Sequence, residues 1–111
     1  MNYQDYQKCI DACLQCAAIC NYCASSCLQE KDVKMMAKCV QLDMECAAAC
    51  YNAAQLMSLG SPRAEQFCRM CAELCQECAE ECAKHDNEHC RKCEEACRHC
   101  ADECMHMAAV R

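Results

Sequence analysis

Cysteine recurs along this chain at alternating steps of three and four residues. Nineteen of the 111 residues are cysteine. One run is Cys9, Cys13, Cys16, Cys20, Cys23 and Cys27; a second is Cys68, Cys71, Cys75, Cys78 and Cys82; a third is Cys90, Cys93, Cys97, Cys100 and Cys104. A 3-4 rhythm averages about 3.5 residues, the spacing that holds side chains on one stripe of an α-helix. A helical bundle usually keeps leucine on that stripe. Here the sequence predicts a core built of thiols.

Composition agrees with an all-α chain. Six Leu, two Ile, three Val and one Phe are too few to build an ordinary core. A protonated buried thiol substitutes for them as a small hydrophobe. Eighteen Ala favour helix, and the single Gly60 and single Pro62 fall in one short segment. The formal charge of −6 leaves no basic stripe to neutralise phosphates, so nucleic acid is excluded as a partner. No apolar run is long enough to span a bilayer, and no membrane partner is expected. The opening residues Met1 to Tyr6 lack a basic region and an apolar segment, so no signal peptide is read there. The expected compartment is the reducing cytoplasm.

The helix boundaries follow from punctuation. The first helix is expected over about residues 3–28 with Asn2 as N-cap, and the second from a cap at Asp32 to about residue 58. Gly60, Ser61 and Pro62 mark an end, a cap and a helix start. The third helix then reaches about residue 84, and the fourth begins after Asp86 or Asn87. Short connections make neighbours antiparallel. The prediction is a single domain, residues 1–111, folded as an up-down-up-down four-helix bundle. The second helix carries only Cys39, Cys46 and Cys50, with Met36, Asp43, Ala53 and Met57 in its remaining inward slots. Asp43 is either a buried carboxylate with a partner or a marginal residue on a helix rotated to bring Leu42 inward. The rotated helix is the preferred reading. Leu14, Ala18, Tyr22, Leu28, Ala47, Ala48 and Tyr51 fall on outer or flanking positions of the first hairpin, which suggests a subunit contact. Tyr3, Tyr6, Tyr22 and Tyr51 are expected to pack.

Several thiol chemistries can be set against one another. An odd cysteine count and a reducing compartment disfavour a disulfide framework. Six C-x2-C pairs invite redox catalysis, yet most lie mid-helix and face inward, away from the helix N-terminus that activates such a pair. No ferredoxin-type C-x2-C-x2-C-x3-C-P run occurs. Nor is a nucleophile–base–orienter set visible, so the chain is not expected to be an enzyme. Soft-metal binding remains, with Cu(I) or Zn(II) as the ions. Isolated zinc tetrathiolates would leave a buried excess of roughly −9 over nineteen thiols, whereas monovalent copper bridged by thiolates nearly cancels it. A linear S–Cu–S unit spans up to ~4.6 Å, which neighbouring helical side chains can meet. Four sulfurs converging on one point are less natural for a stripe. Cu(I), at about one ion per cysteine, is the predicted cargo. A zinc buffer and a Cu(I) chaperone are the alternatives.

Taken together, the four helices, the inward C-x2-C and C-x3-C column and the segment Cys82-Ala83-Lys84-His85-Asp86-Asn87-Glu88-His89-Cys90 resemble the cytosolic copper storage proteins, the Csp family. The resemblance covers essentially the whole chain. It implies many Cu(I) ions held along the bundle interior and a homotetramer, with delivery by a copper chaperone as a further expectation. It also makes ligands of the three runs plus Cys39, Cys46 and Cys50, and it associates His and Met residues with copper entrance at a bundle mouth. Antiparallel helices gather Cys27, Met35, Met36, Cys82, His85, His89 and Cys90 at one end. Met36 and His89 are the donors predicted there, while His85 reads as a solvated loop residue. Met57, Met107 and His106 mark the opposite end as the other candidate entrance, and His99 faces solvent.

Overall fold

The computed structural model describes residues 3–109, so the proposed Asn2 cap lies outside the described residues. Four helices follow in order: α1 (Tyr3–Cys27), α2 (Ala37–Ser58), α3 (Ala64–Cys82) and α4 (Glu88–Ala109). No strand occurs among the described residues. Each helix packs against two neighbours in a closed ring, α1 on α2 and α4, α3 on α2 and α4. Sulfur pairs fix the directions. Cys9 meets Cys104, and Cys23 meets Cys90, so α1 and α4 run antiparallel. Cys27 meets Cys39 while Cys39 meets Cys82, which sets α2 antiparallel to both α1 and α3. The bundle is a rod of 46 × 19 × 17 Å.

All nineteen cysteines are buried, none more than 1% exposed. Alanines such as Ala17, Ala53, Ala72 and Ala79 fill the remaining core positions and let the helix backbones approach closely. The thiol stripe therefore works as the apolar seam of a coiled-coil-like bundle.

Local signals explain the ends, with three shifts from expectation. A 3₁₀ turn (Val33–Met36) precedes α2, and the Asp32 carbonyl accepts from Met35 N–H at 2.9 Å. Asp32 thus opens that turn rather than α2, and its side chain makes no cap bond. The α2 terminus is a Schellman motif: Ser61 N–H donates to the Leu56 carbonyl and Gly60 N–H to that of Met57. This motif needs the left-handed backbone that Gly60 supplies at φ 65°. Ser61 Oγ then accepts from Arg63 N–H at 3.1 Å, but regular helix begins only at Ala64, two residues after Pro62. At the other end α3 stops at Cys82 rather than near residue 84, and the Asn87 carbonyl accepts from Cys90 and Arg91 to start α4.

Burial corrects two further expectations. Asp43 is fully buried, so α2 is not rotated to put it at the margin; Leu42 is only half-buried. Only Tyr6 packs inside, whereas Tyr3, Tyr22 and Tyr51 are exposed and Tyr51 Oη accepts from Asn21 Nδ2. Ala47 is buried, while Leu14, Ala18, Leu28 and Ala48 face outward as expected.

Candidate metal centre

A 3-4 repeat on four facing helices brings the sulfurs into one continuous column. Neighbouring sulfurs lie 3.3 Å apart at Cys46–Cys75, 3.5 Å at Cys13–Cys104 and 3.7 Å at Cys16–Cys97. A disulfide requires about 2.05 Å, and every cysteine is a free thiol. Four-sulfur groups form where side chains from facing helices converge, each with all its sulfurs within 4.8 Å of one another. They include Cys13, Cys71, Cys100 and Cys104 near one end, and Cys23, Cys27, Cys39 and Cys90 near the other.

This convergence corrects one step in the choice of metal. A tetrahedral zinc site has S···S edges of about 3.8 Å for bonds of about 2.3 Å, and facing helices supply such spacings. The stripe on a single helix misled, because the groups draw on several helices at once. Sharing is what separates the ions. Cys16 and Cys46 belong both to the group with Cys50 and Cys75 and to that with Cys20 and Cys97. Cys20 and Cys97 recur again beside Cys78 and Cys93. Sulfurs shared between successive groups suit bridging thiolates and low-coordinate monovalent ions better than isolated tetrathiolates.

Burial sets the protonation of two thiols at one end of the column in the metal-free chain. Burial pushes Cys27 up to about 12 and raises Cys90 as well, so these thiols stay neutral near pH 7. Asp43 is pushed up to about 10, chiefly by burial and then by the Cys78 sulfur. Its Oδ1 accepts from the thiols of Cys78 at 3.1 Å, Cys93 at 3.2 Å and Cys82 at 3.7 Å, and its Oδ2 from Cys39 at 3.8 Å. This carboxyl is the site residue that sequence reasoning placed wrongly. Its signal was available, since Asp43 occupies the inward slot between Cys39 and Cys46.

The predicted mouth holds most of its expected residues. Met36 is buried in the core beside the α1–α2 connection, whereas Met35 is 72% exposed. His89 is buried with Nδ1 3.4 Å from Cys23 Sγ, 3.5 Å from Cys90 Sγ and 3.9 Å from Cys27 Sγ. His85 is not a freely solvated loop residue. Its Nε2 lies 3.0 Å from Glu81 Oε2, with most of its side chain covered. At the opposite end Met57 is buried and Met107 half-buried, while His106 is exposed. His99 is exposed as expected.

Known proteins share this arrangement. Residues 2–109 match the family described as copper storage protein. The uncharacterized cysteine-rich protein YhjQ of Bacillus subtilis (strain 168) is 42% identical over 83 residues, 75% of this chain and 77% of that protein. The solved structure of the Cu(I)-bound copper storage protein BsCsp3 superposes with a TM-score of 0.90 at 41% identity, covering 94% of this chain and 98% of that one. Apo-Csp3 from Bacillus subtilis gives 0.89 at the same identity, over 94% and 99%. A cytosolic copper storage protein from Streptomyces lividans, with five coppers, gives 0.94 at 36% identity, over 98% and 96%. A match over nearly the full length, on a bundle whose interior is a column of free thiols, leads to one conclusion: the chain belongs to the copper storage protein family.

Proposed function

We propose that the chain works as one domain, residues 1–111, that stores Cu(I) in the cytoplasm. The ligands are the thiolates of Cys9, Cys13, Cys16, Cys20, Cys23, Cys27, Cys39, Cys46, Cys50, Cys68, Cys71, Cys75, Cys78, Cys82, Cys90, Cys93, Cys97, Cys100 and Cys104. The observation that carries the reading is the sharing of sulfurs between successive four-sulfur groups. Bridged copper keeps the column near electrical neutrality as protons leave, so binding tightens as pH rises. Neutral thiols pack as an apolar core, which lets the empty bundle keep its fold.

Copper enters beside Met36 and His89, delivered by a copper chaperone, and the chain holds its cargo without enzymatic turnover. Its assembly is a homotetramer formed through the outer face of α1 and α2. That face exposes Leu14, Tyr22, Leu28 and Tyr51. Anaerobic Cu(I) titration of the reduced protein, read by native mass spectrometry, tests these statements together. The expected result is about 19 ions per chain and four chains per particle, from one bridging copper per thiolate. Saturation at four or five ions, with zinc preferred, would replace storage of copper by buffering of zinc. One or two ions on an exposed pair would indicate a chaperone.

A further inference from the structure

At the mouth, both nitrogens of His89 are engaged, and by different chemistry. Nδ1 faces the sulfurs of Cys23, Cys90 and Cys27. Nε2 lies 2.9 Å from Oε2 of Glu30, a residue 59 positions away on the connection between α1 and α2. That connection is held in place by its own backbone. Glu30 N–H donates to the Cys27 carbonyl at 3.2 Å, and Gln29 N–H to that of Ser26 at 3.1 Å. The turn carries the carboxylate across the bundle end to meet the first turn of α4.

We propose that Glu30 is a positioning residue for copper uptake: by accepting the Nε2 hydrogen of His89, it directs the Nδ1 lone pair at the mouth sulfurs. The proposal rests on the storage reading. An ionised carboxylate only accepts hydrogen bonds, so Nε2 carries the hydrogen. In the neutral ring this leaves Nδ1 as the free donor atom, facing the thiol that Cys23 offers from 3.4 Å. The carboxylate also makes Nδ1 a better electron donor and fixes the plane of the ring. An incoming Cu(I) thus meets one nitrogen and up to three sulfurs already pointed at the same place.

His85 sharpens the assignment. It too has a carboxylate on Nε2, that of Glu81 at 3.0 Å, but both groups lie one turn apart at the end of α3. Among the described residues no sulfur contact is recorded for His85. Glu81 ties a histidine to its own helix terminus, whereas Glu30 reaches a histidine that touches the column. A merely structural ion pair would engage an imidazolium, whose two nitrogens both carry hydrogen and offer the column no lone pair.

The tautomer supplies the test. Long-range ¹H–¹⁵N spectra of the metal-free, reduced full chain should show His89 with hydrogen on Nε2 and a bare Nδ1. In Glu30→Ala this preference should be lost, and the first phase of Cu(I) uptake in stopped flow should slow by about 10-fold. Glu30→Gln keeps an acceptor oxygen and should restore most of both properties. Combining Glu30→Ala with His89→Ala should be no slower than His89→Ala alone, and final capacity should stay at the wild-type value throughout. Hydrogen on Nδ1 in the wild type, failure of Gln to rescue, or additive slowing in the double variant would each overturn the proposal. Failure of the wild type to fill with Cu(I) would instead sink storage, because the tautomer is read without copper.

Discussion

The two ends of the bundle close the same thiol column in opposite ways. At the mouth, His89 faces Cys23, Cys27 and Cys90, Met36 is buried, and the carboxyl of Asp43 reaches four thiols of that half. At the far end, where Cys9 meets Cys104, Tyr6, Ile10, Met57, Ala64 and Ala108 are buried. The mouth adds a buried imidazole and a buried thioether to the thiols; the far end adds the buried thioether of Met57 but no buried imidazole among the described residues. The difference teaches that the column has a direction, although the cysteine spacing that builds it is nearly symmetric. On the proposed route, an ion that has shed its water would meet successive donors at the mouth. At the far end it would meet the Met57 thioether among packed apolar side chains, without an imidazole.

Substitutions at the two ends should therefore separate stability from uptake. The largest effect is expected at the apolar end, where Ile10→Ala removes a buried side chain at a cost of about 2–5 kcal/mol. Urea unfolding of the metal-free chain measures this, and stopped-flow uptake should stay at the wild-type rate. Slower loading in that variant would break the comparison. At the mouth, Met36→Ala combined with His89→Ala should slow loading by roughly 10-fold, the scale typical of lost metal-orienting groups, with final capacity nearly unchanged. Unaltered loading kinetics would remove this end as the entrance.

A third effect, read as a slope against pH and not as a single loss, concerns Asp43. Its folded value is pushed up to about 10, so the folded chain keeps a proton that the unfolded chain gives up above the ordinary carboxylate range. Stability of the metal-free protein should then be highest near pH 4 and fall as pH rises toward 10. Asp43→Asn should flatten that slope between pH 5 and 8, read as melting temperature against pH in reductant. An unchanged slope would place the pH dependence elsewhere in the column.

Much of this was legible in the residues because helix formation is local. A cysteine every third or fourth position states both the helix and its buried face, and Gly60 with Ser61 states a terminus to within two residues. Asp43 was harder. Its slot said inward, but charge in a core argued for the margin, and only the cluster of thiol donors from α3 and α4 resolves the conflict. Tyr22 and Tyr51 lie on the outer face that the helical register gave them, whereas Tyr3 is exposed although it was expected to pack, since aromatic character alone does not say which face a ring occupies. Glu30 carried no signal in the sequence, because its partner is 59 residues away.

By itself the sequence determined four helices, a thiol seam on each and a preference for a soft monovalent ion. These depend on the 3.6-residue turn and on the chemistry of sulfur, which act within one helix. Only the tertiary structure decided which sulfurs are shared between groups, which nitrogen of His89 faces the column and which thiols meet Asp43. Those properties depend on the rotation and axial register of four helices relative to one another, and a spacing along one chain does not encode a distance across the bundle.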